Sequence, residues 1–226
     1  KSLKLLVYLL KPLTGAGAVM ARDNYSYSKQ RISELGEKLE ECHRRMYEIA
    51  EEKEDYWTLL ELAKEKELGA LSLECLRAAL AVAKKQDRIY NIDLVGKLAF
   101  ELSFSAQNRA ASLSRGYREL AITAYKRILK LASSDEKQAK AAAVMLWRLG
   151  DYQSSLRAFE DLAKKSKSGE EYIDLAYMNT ALSLKKEALA NFEKALKLTT
   201  DKARADLIKE EIRALKSGSV PSDMQL

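Results

Sequence analysis

Proline is absent from most of this chain, and its absence constrains the fold more than any other feature. The 226 residues contain two prolines, Pro12 and Pro221. Proline breaks helices because it lacks an amide hydrogen, so every residue from Arg22 to Val220 is free of this obstacle to helix formation. Alanine, leucine, lysine and glutamate dominate that span and favour helix. Because 47% of the residues are hydrophobic, the composition is not that of a disordered chain. The sequence therefore predicts an all-α protein.

Three segments in the second half of the chain align with one another. They are GYRELAITAYKRILKLA (116–132), GDYQSSLRAFEDLAKKS (150–166) and LKKEALANFEKALKLTT (184–200). Their small residues are Ala121, Ser155 and Ala188, separated by 34 and then 33 residues, and Tyr125, Phe159 and Phe192 repeat at the same intervals. A constant period of this length indicates stacked helix pairs.

This pattern resembles the tetratricopeptide repeat family, whose units are antiparallel helix pairs, A and B, stacked into a superhelical α-solenoid. The family has a small residue in helix A, a Gly-x-Tyr turn, and a small, an aromatic and a further small or apolar residue in helix B. One unit here has Ala143, Gly150, Tyr152, Ser155, Phe159 and Leu162 at these places; the next has Ala176, Ala188, Phe192 and Ala195, with Ser183 and Lys185 in the turn. The resemblance implies that paired helices approach closely at the small residues, and that the aromatic fills the space between neighbouring pairs.

A further unit is visible at 56–85, where Ala63 and Cys75 are twelve residues apart, as Ala143 and Ser155 are. From Cys75 to Ala121, however, the interval is 46 residues, twelve more than the period. With Gly96 as the small residue of that helix A, the excess falls around 106–118. We expect either lengthened helices or a protruding loop there.

These observations divide the chain into predicted segments. They are an apolar N-terminal segment (1–22), a heptad-patterned helix of coiled-coil type (23–55), an array (56–217) and a tail (218–226); the array has units 56–89, 90–134 (expanded), 135–168 and 169–200 and a capping helix 201–217. Ser133 with Glu136, and Ser168 with Glu171, have the capping-box spacing expected just before helices A of the last two units.

The heptad pattern is carried by apolar residues in alternating steps of three and four. They are Ile32, Leu35, Leu39, Cys42, Met46 and Ile49. Short coiled coils are marginal alone, which favours a partner helix in the same chain. Self-association through residues 28–52 is the alternative.

The first eighteen residues, KSLKLLVYLLKPLTGAGA, have a basic start, a short apolar run and a stretch resembling a cleavage site. The run is far shorter than the ~18 residues that span a bilayer. Three interpretations stay open: a helix packed on the body, a membrane-proximal segment through residues 1–20, and a remnant of a targeting sequence. The first residue is Lys1 rather than methionine, as expected of a processed product or part of a longer chain, and the sequence does not decide between a cytoplasmic and a membrane-associated protein.

The formal charge of +6 comes mainly from the middle of the chain. Between residues 109 and 130, six basic residues accompany one acidic residue: Arg109, Arg115, Arg118, Lys126, Arg127 and Lys130 against Glu119. Arg109, Arg115 and Arg118 form a candidate second site for an acidic protein, phosphate or nucleic acid. A solvated helix face is the commoner explanation, which argues against nucleic-acid binding.

No pattern of catalytic residues is present. The chain has no Gly-rich phosphate loop, His-Glu-x-x-His, nucleophile elbow or acidic calcium loop. Its one histidine, His43, has no placed carboxylate and is expected at the surface, and Cys42 and Cys75 lack disulfide or metal-ligand spacing. The sequence predicts a protein without enzymatic activity, cofactor or metal.

In the family, peptides contact the residues of helix A that pack neither on helix B nor on the next pair. The resemblance implies partner-binding residues Lys137, Lys140, Val144, Trp147, Arg148, Tyr177 and Trp57, with Glu61, Lys64, Glu170, Ile173, Asp174 and Thr180 on the same surface. Leu60 and Lys64 break the pattern of the subclass that binds chaperone tails. The predicted function is a protein-interaction scaffold or adaptor that binds a protein or peptide, with Trp147 either facing that partner or packing against a neighbouring helix.

Two alternatives to this function remain at the level of sequence. One is a structural subunit of a larger, membrane-attached assembly that self-associates through its N-terminal helices. The other is nucleic-acid binding through residues 109–130.

Overall fold

All regular structure in the described part of the chain is helical, which confirms the all-α prediction. The computed structural model describes residues 26–65, 68–107, 110–165 and 169–218. The helices in these ranges are α1 (Ser26–Glu52), α2 (Tyr56–Ala63), α3 (Ala70–Lys85), α4 (Ile89–Ala106), α5 (Ala111–Leu131), α6 (Glu136–Arg148), α7 (Tyr152–Lys165), α8 (Glu170–Ala181), α9 (Lys185–Leu198) and α10 (Lys202–Ser217). The predicted segment 1–22 and residues 219–226 of the predicted tail lie outside them. None of the described helices is long and apolar enough to cross a bilayer.

The chain forms two compact units, residues 1–124 and 125–226, whose boundary falls within α5. In the N-terminal unit α1 packs on α2 and α3, α2 packs on α3, and α3 packs on α4. The Ser72 hydroxyl of α3 donates a 2.6 Å hydrogen bond to the carbonyl oxygen of Ala63 in α2. Gly116 lets α5 approach α3, because a Cβ there would lie 2.6 Å from Leu73 Cδ2.

The C-terminal part of the heptad pattern packs within the chain. Cys42 and Met46 are buried, whereas Leu35, Leu39 and Ile49 are only half-buried. On an exposed side, Arg44 forms a 2.6 Å ion pair with Glu74 of α3.

The expectation that His43 lies at the surface is wrong. Its side chain is 5% exposed, beside the buried Cys42. The heptad places residue 43 next to the apolar stripe, so burial of that stripe at Cys42 and Met46 extends to its neighbour.

In the C-terminal unit α6 packs on α7, α7 on α8, α8 on α9, and α9 on α10. Ser155 is fully buried, and its hydroxyl donates a 2.7 Å hydrogen bond to the Ala143 carbonyl oxygen. Two clusters of buried residues belong to the core of this unit. One contains Ala143, Phe159, Leu162, Ala163, Leu175 and Met178, and the other contains Ile173, Ala176, Ala188, Phe192, Ala195, Ile208 and Leu215. Through Ile208 and Leu215, the apolar face of α10 packs against α9.

Both helices in the predicted expanded unit are long. α4 has 18 residues and α5 has 21, whereas α6 to α9 have 12 to 14. Of the two expected outcomes, the structure has the longer helices.

The predicted capping box before α6 is wrong. The helix begins at Glu136, and the carboxylate of Asp135 accepts a 3.0 Å hydrogen bond from the Gln138 amide, so Asp135 is the cap. At α8 the residue before the helix is Gly169, with a φ of 81°, and Ser168 lies outside the described residues. An aspartate next to the first turn is a strong capping residue, which the capping-box spacing overlooks.

Four interhelical turns share one conformation. Glu54, Asp87, Gly150 and Ser183 have left-handed φ values of 49°, 50°, 77° and 61°, each two residues before a helix. The next amide in each case bonds to a carbonyl five residues earlier, from Asp55 to Ala50, Arg88 to Ala83, Asp151 to Leu146 and Leu184 to Asn179. This is the Schellman pattern, in which a left-handed residue lets the last carbonyls of a helix be satisfied.

Ser183→Gly is expected to raise the free energy of unfolding by about 1 kcal/mol, because a left-handed conformation costs a residue with a Cβ ~1–2 kcal/mol. Gly150→Ala should lower it by a similar amount. Urea unfolding followed by circular dichroism measures both. As a control, Ala190→Gly at an exposed position of α9 should lower stability by about 1 kcal/mol; a loss of stability in Ser183→Gly would contradict the assignment.

Candidate functional site

Four of the predicted partner-binding residues line one pocket in the C-terminal unit. The pocket, of about 180 Å³, is lined by Lys140, Val144, Trp147 and Arg148 of α6, Phe159 of α7, and Asp174 and Met178 of α8. We call it the Trp147 pocket. The first four residues share one face of α6 because they follow the spacing of three and four residues that places side chains above one another.

Trp147 is both a packing residue and a pocket residue. Its half-buried side chain packs against the core cluster that contains Phe159 and Met178, and its ring centroid lies 4.6 Å from that of Tyr152. The same residue lines the pocket. The structure therefore shows the packing role of Trp147, in which contacts with α7 and α8 hold the indole in place, while its contact with a partner stays a prediction.

Val144 completes the apolar part of the lining. Val144 is 40% exposed and is one of the large apolar residues that the packing leaves accessible. Together with the rings of Trp147 and Phe159, it offers a contact surface without hydrogen-bonding atoms other than the indole N–H.

An ion pair closes one side of the Trp147 pocket. Lys140 Nζ lies 2.6 Å from Asp174 Oδ2 and 4.0 Å from Glu171 Oε1. Partial burial by itself lowers the pKa of Lys140, but the hydrogen bond and charge of Asp174, with smaller contributions from Glu171 and Glu170, outweigh it and leave the pKa above its ordinary value. Lys140 is therefore a charged link between α6 and α8, and its charge is largely neutralised.

Arg148 supplies the uncompensated charge. It is the last residue of α6, is exposed, and forms no ion pair within the described part of the chain. A guanidinium at the edge of an apolar pocket is suited to pair with a carboxylate by two parallel hydrogen bonds.

The other predicted partner-binding residues do not line this pocket. Tyr177 donates a 3.3 Å hydrogen bond to Glu211 and packs edge-on against Phe192. Lys137 is exposed and does not line the pocket. Trp57 belongs to the N-terminal unit, where it is 57% exposed.

The prediction that Ile173 lies on the same surface is wrong. It is 4% exposed and belongs to a core cluster. Glu61 and Lys64 pair with each other at 2.6 Å, Glu170 pairs with Arg204 at 2.9 Å, and the Thr180 hydroxyl bonds to the Ala176 carbonyl oxygen.

The candidate basic site is only partly described. Arg109 lies outside the described residues, while Arg115 and Arg118 are exposed on α5. Further along that helix, Lys126 forms a 2.7 Å ion pair with Asp151. Burial alone raises the pKa of Asp151, but hydrogen bonds from Lys126 and Ser154 outweigh it and hold the pKa below its ordinary value. Part of the basic run is therefore neutralised within the chain.

Sequence reasoning missed two features of this unit. Met178 lines the pocket beside Asp174, one helical turn away, and that spacing could have identified it. A second and larger cavity, of about 400 Å³, lies between the end of α5, the start of α6 and α7. No periodic signal marks it, because its residues come from three helices and the turn between two of them.

The lining of the Trp147 pocket includes no serine, threonine, cysteine or histidine, so it lacks the usual nucleophiles.

Elsewhere, burial raises the pKa of the Cys75 thiol to about 12, which keeps it protonated. Among the described residues no three His, Cys, Asp or Glu side chains are grouped to hold a metal ion. What the pocket offers is apolar contact and one exposed cation.

Trp147→Ala is expected to lower the free energy of unfolding by about 2 kcal/mol, because the indole is part of a core cluster. The matched change Trp57→Ala should cost under about 0.5 kcal/mol, since that indole is mostly exposed. Urea unfolding measures both. Equal losses in the two variants would contradict the packing role of Trp147.

Comparison with known proteins does not add to this geometry. No protein-family model matches the chain, and no curated protein matches it significantly.

Proposed function

We propose that this protein is a non-enzymatic interaction scaffold, built as a tetratricopeptide-like array, that binds a peptide segment of a partner protein at the Trp147 pocket. The observation that carries the proposal is the convergence of Lys140, Val144, Trp147 and Arg148 on one concavity. Exposed concave sites with an aromatic anchor and an arginine are typical of binding hot spots.

The repeat supports the same assignment. One period after Trp147 and Arg148 stand Thr180 and Ala181, so these two side chains are not required by the repeating packing. Residues that depart from a repeated frame and remain accessible are where an array acquires specificity for its partner.

The pocket chemistry indicates what the partner presents. A volume of about 180 Å³ is below the ~300–1,000 Å³ typical of ligand sites, which favours one large apolar side chain over a whole small molecule. Because Lys140 is already paired with Asp174, Arg148 is the cation available to a carboxylate. The proposed ligand is a peptide with a large apolar residue next to an acidic residue or a carboxyl terminus.

Arg148→Glu combined with Val144→Asp is expected to abolish capture of the partner without unfolding the chain, because both side chains are exposed. The measurement is affinity capture with cross-linking and mass spectrometry on wild-type and variant protein. Arg213→Glu, the same charge reversal at an exposed arginine of α10 outside the pocket, serves as the control for the arginine and should retain the partner. Identical sets of captured proteins for all three would contradict the proposed site.

A second candidate function is self-association through α1. It is favoured by Leu35 and Leu39, which belong to the heptad pattern of α1 and are only half-buried. In this proposal the protein is a structural subunit of a larger assembly, and the attachment of residues 1–20 to a membrane remains a prediction.

Sedimentation velocity tests the second candidate. The wild-type chain should sediment as a dimer or larger species, and Leu35→Glu with Leu39→Glu as a monomer, because a charge at either position disrupts an apolar interface. A wild-type monomer at micromolar concentration would rule out self-association. Circular dichroism shows whether the variant remains helical.

A further inference from the structure

The 400 Å³ cavity has an apolar floor and a basic rim. Its floor is formed by Leu129, Ala132, Ala139, Ala158 and Leu162. Lys126, Lys130, Arg157 and Lys165 supply the basic rim, to which Glu136 and Asp161 add acids. We call it the α5–α7 cleft. It shares no residue with the Trp147 pocket, so α7 contributes different side chains to each.

Only some of the rim charges are compensated. Lys126 pairs with Asp151 at 2.7 Å, and Asp161 pairs with Lys164 at 3.2 Å. Lys130 and Arg157 are exposed and form no ion pair among the described residues.

Lys165, the last residue of α7, adds a further positive charge. Its ammonium donates a 3.0 Å hydrogen bond to the carbonyl oxygen of Ser133, which satisfies one hydrogen but leaves the charge uncompensated. Three cations therefore face one carboxylate without a described ion-pair partner, that of Glu136.

The composition of the cleft distinguishes between anionic partners. Proteins that bind single-stranded nucleic acid combine a basic groove with aromatic rings on which bases stack. The described lining of this cleft contains no Trp, Tyr or Phe. Its floor of leucine and alanine instead suits aliphatic side chains, whose burial contributes roughly 25 cal/mol per Å².

We propose that the α5–α7 cleft is a second docking surface, which binds an amphipathic acidic segment of another protein. The aliphatic side chains of that segment lie on the apolar floor, and its carboxylates pair with Lys130 and Arg157. We choose an acidic segment because its carboxylates complement the basic rim. An uncharged apolar segment would leave the three rim cations without a counter-charge. The proposal is independent of the Trp147 pocket and places two partner segments on different residues of the same unit.

Fluorescence anisotropy with defined peptides tests this surface. The probe is a labelled helical peptide of about 16 residues, with leucines at helical spacing on one face and glutamates beside them. Three comparison probes isolate each contribution: the same peptide with glutamine for glutamate, the same peptide with serine for leucine, and an oligothymidylate. Each is titrated with the full chain at about 50 mM and about 300 mM salt, which separates screened from apolar contributions.

Lys130→Glu with Arg157→Glu is expected to weaken binding of the leucine–glutamate peptide about tenfold or more. Lys186→Glu with Arg213→Glu changes the net charge equally at exposed sites outside the cleft, and should alter binding less than about twofold. Arg148→Glu should leave this binding unchanged. The glutamine and serine peptides should bind wild-type protein at least about tenfold more weakly than the probe does.

Several results would overturn the proposal. They are absence of binding by the leucine–glutamate peptide, equal binding of the glutamine peptide, and an equal loss in the two double charge-reversal variants. Tighter binding of oligothymidylate than of the peptide would assign the cleft to nucleic acid instead. Since all four substituted side chains are exposed, unchanged melting temperatures are expected and separate loss of binding from loss of fold.

Discussion

The close approach of neighbouring helices at small residues is the constraint on which the rest of this structure depends. Ala143 and Ser155 are fully buried where α6 meets α7, and the serine hydroxyl bonds to the alanine carbonyl oxygen at 2.7 Å. The same chemistry recurs between α2 and α3, where Ser72 donates to Ala63. A larger side chain at either contact would separate the helices and expose the apolar residues that flank them, because interiors are close-packed. The hydrogen bond also satisfies a hydroxyl that would otherwise be costly to bury.

Four of the turns between helices share one conformation. A left-handed residue ends one helix, and the helix that follows begins two residues later, at four places in the chain. Glycine occupies one of these positions, whereas glutamate, aspartate and serine occupy the others, so the conformation is retained even where a Cβ makes it unfavourable. That it persists indicates that packing of the flanking helices, rather than the turn residue, determines the geometry.

Side chains that do not take part in helix packing determine the chemistry of the surface. In the C-terminal unit they form two concavities of different chemistry. The Trp147 pocket has aromatic walls, an internally paired lysine and one exposed arginine, whereas the α5–α7 cleft has an aliphatic floor and several exposed cations. In our two separate proposals these differences correspond to different partner segments. One presents a single large side chain beside a carboxylate, and the other presents an aliphatic helix face with several carboxylates.

The sequence by itself determined the helical class, the period and the packing positions, because each depends on residues close together along the chain. The absence of proline, the 34-residue interval and the small residues at Ala143, Ser155 and Ala188 were all visible without coordinates. The resemblance to tetratricopeptide repeats also implied that this face of α6 is a binding surface, and helical spacing places Lys140, Val144 and Trp147 together on it. Only the tertiary structure decided the burial of His43 and Ile173, the pairing of Lys140 with Asp174, and the existence of the α5–α7 cleft. Each of these depends on which side chains the fold brings close, and no local pattern encodes contacts between residues that lie far apart along the chain.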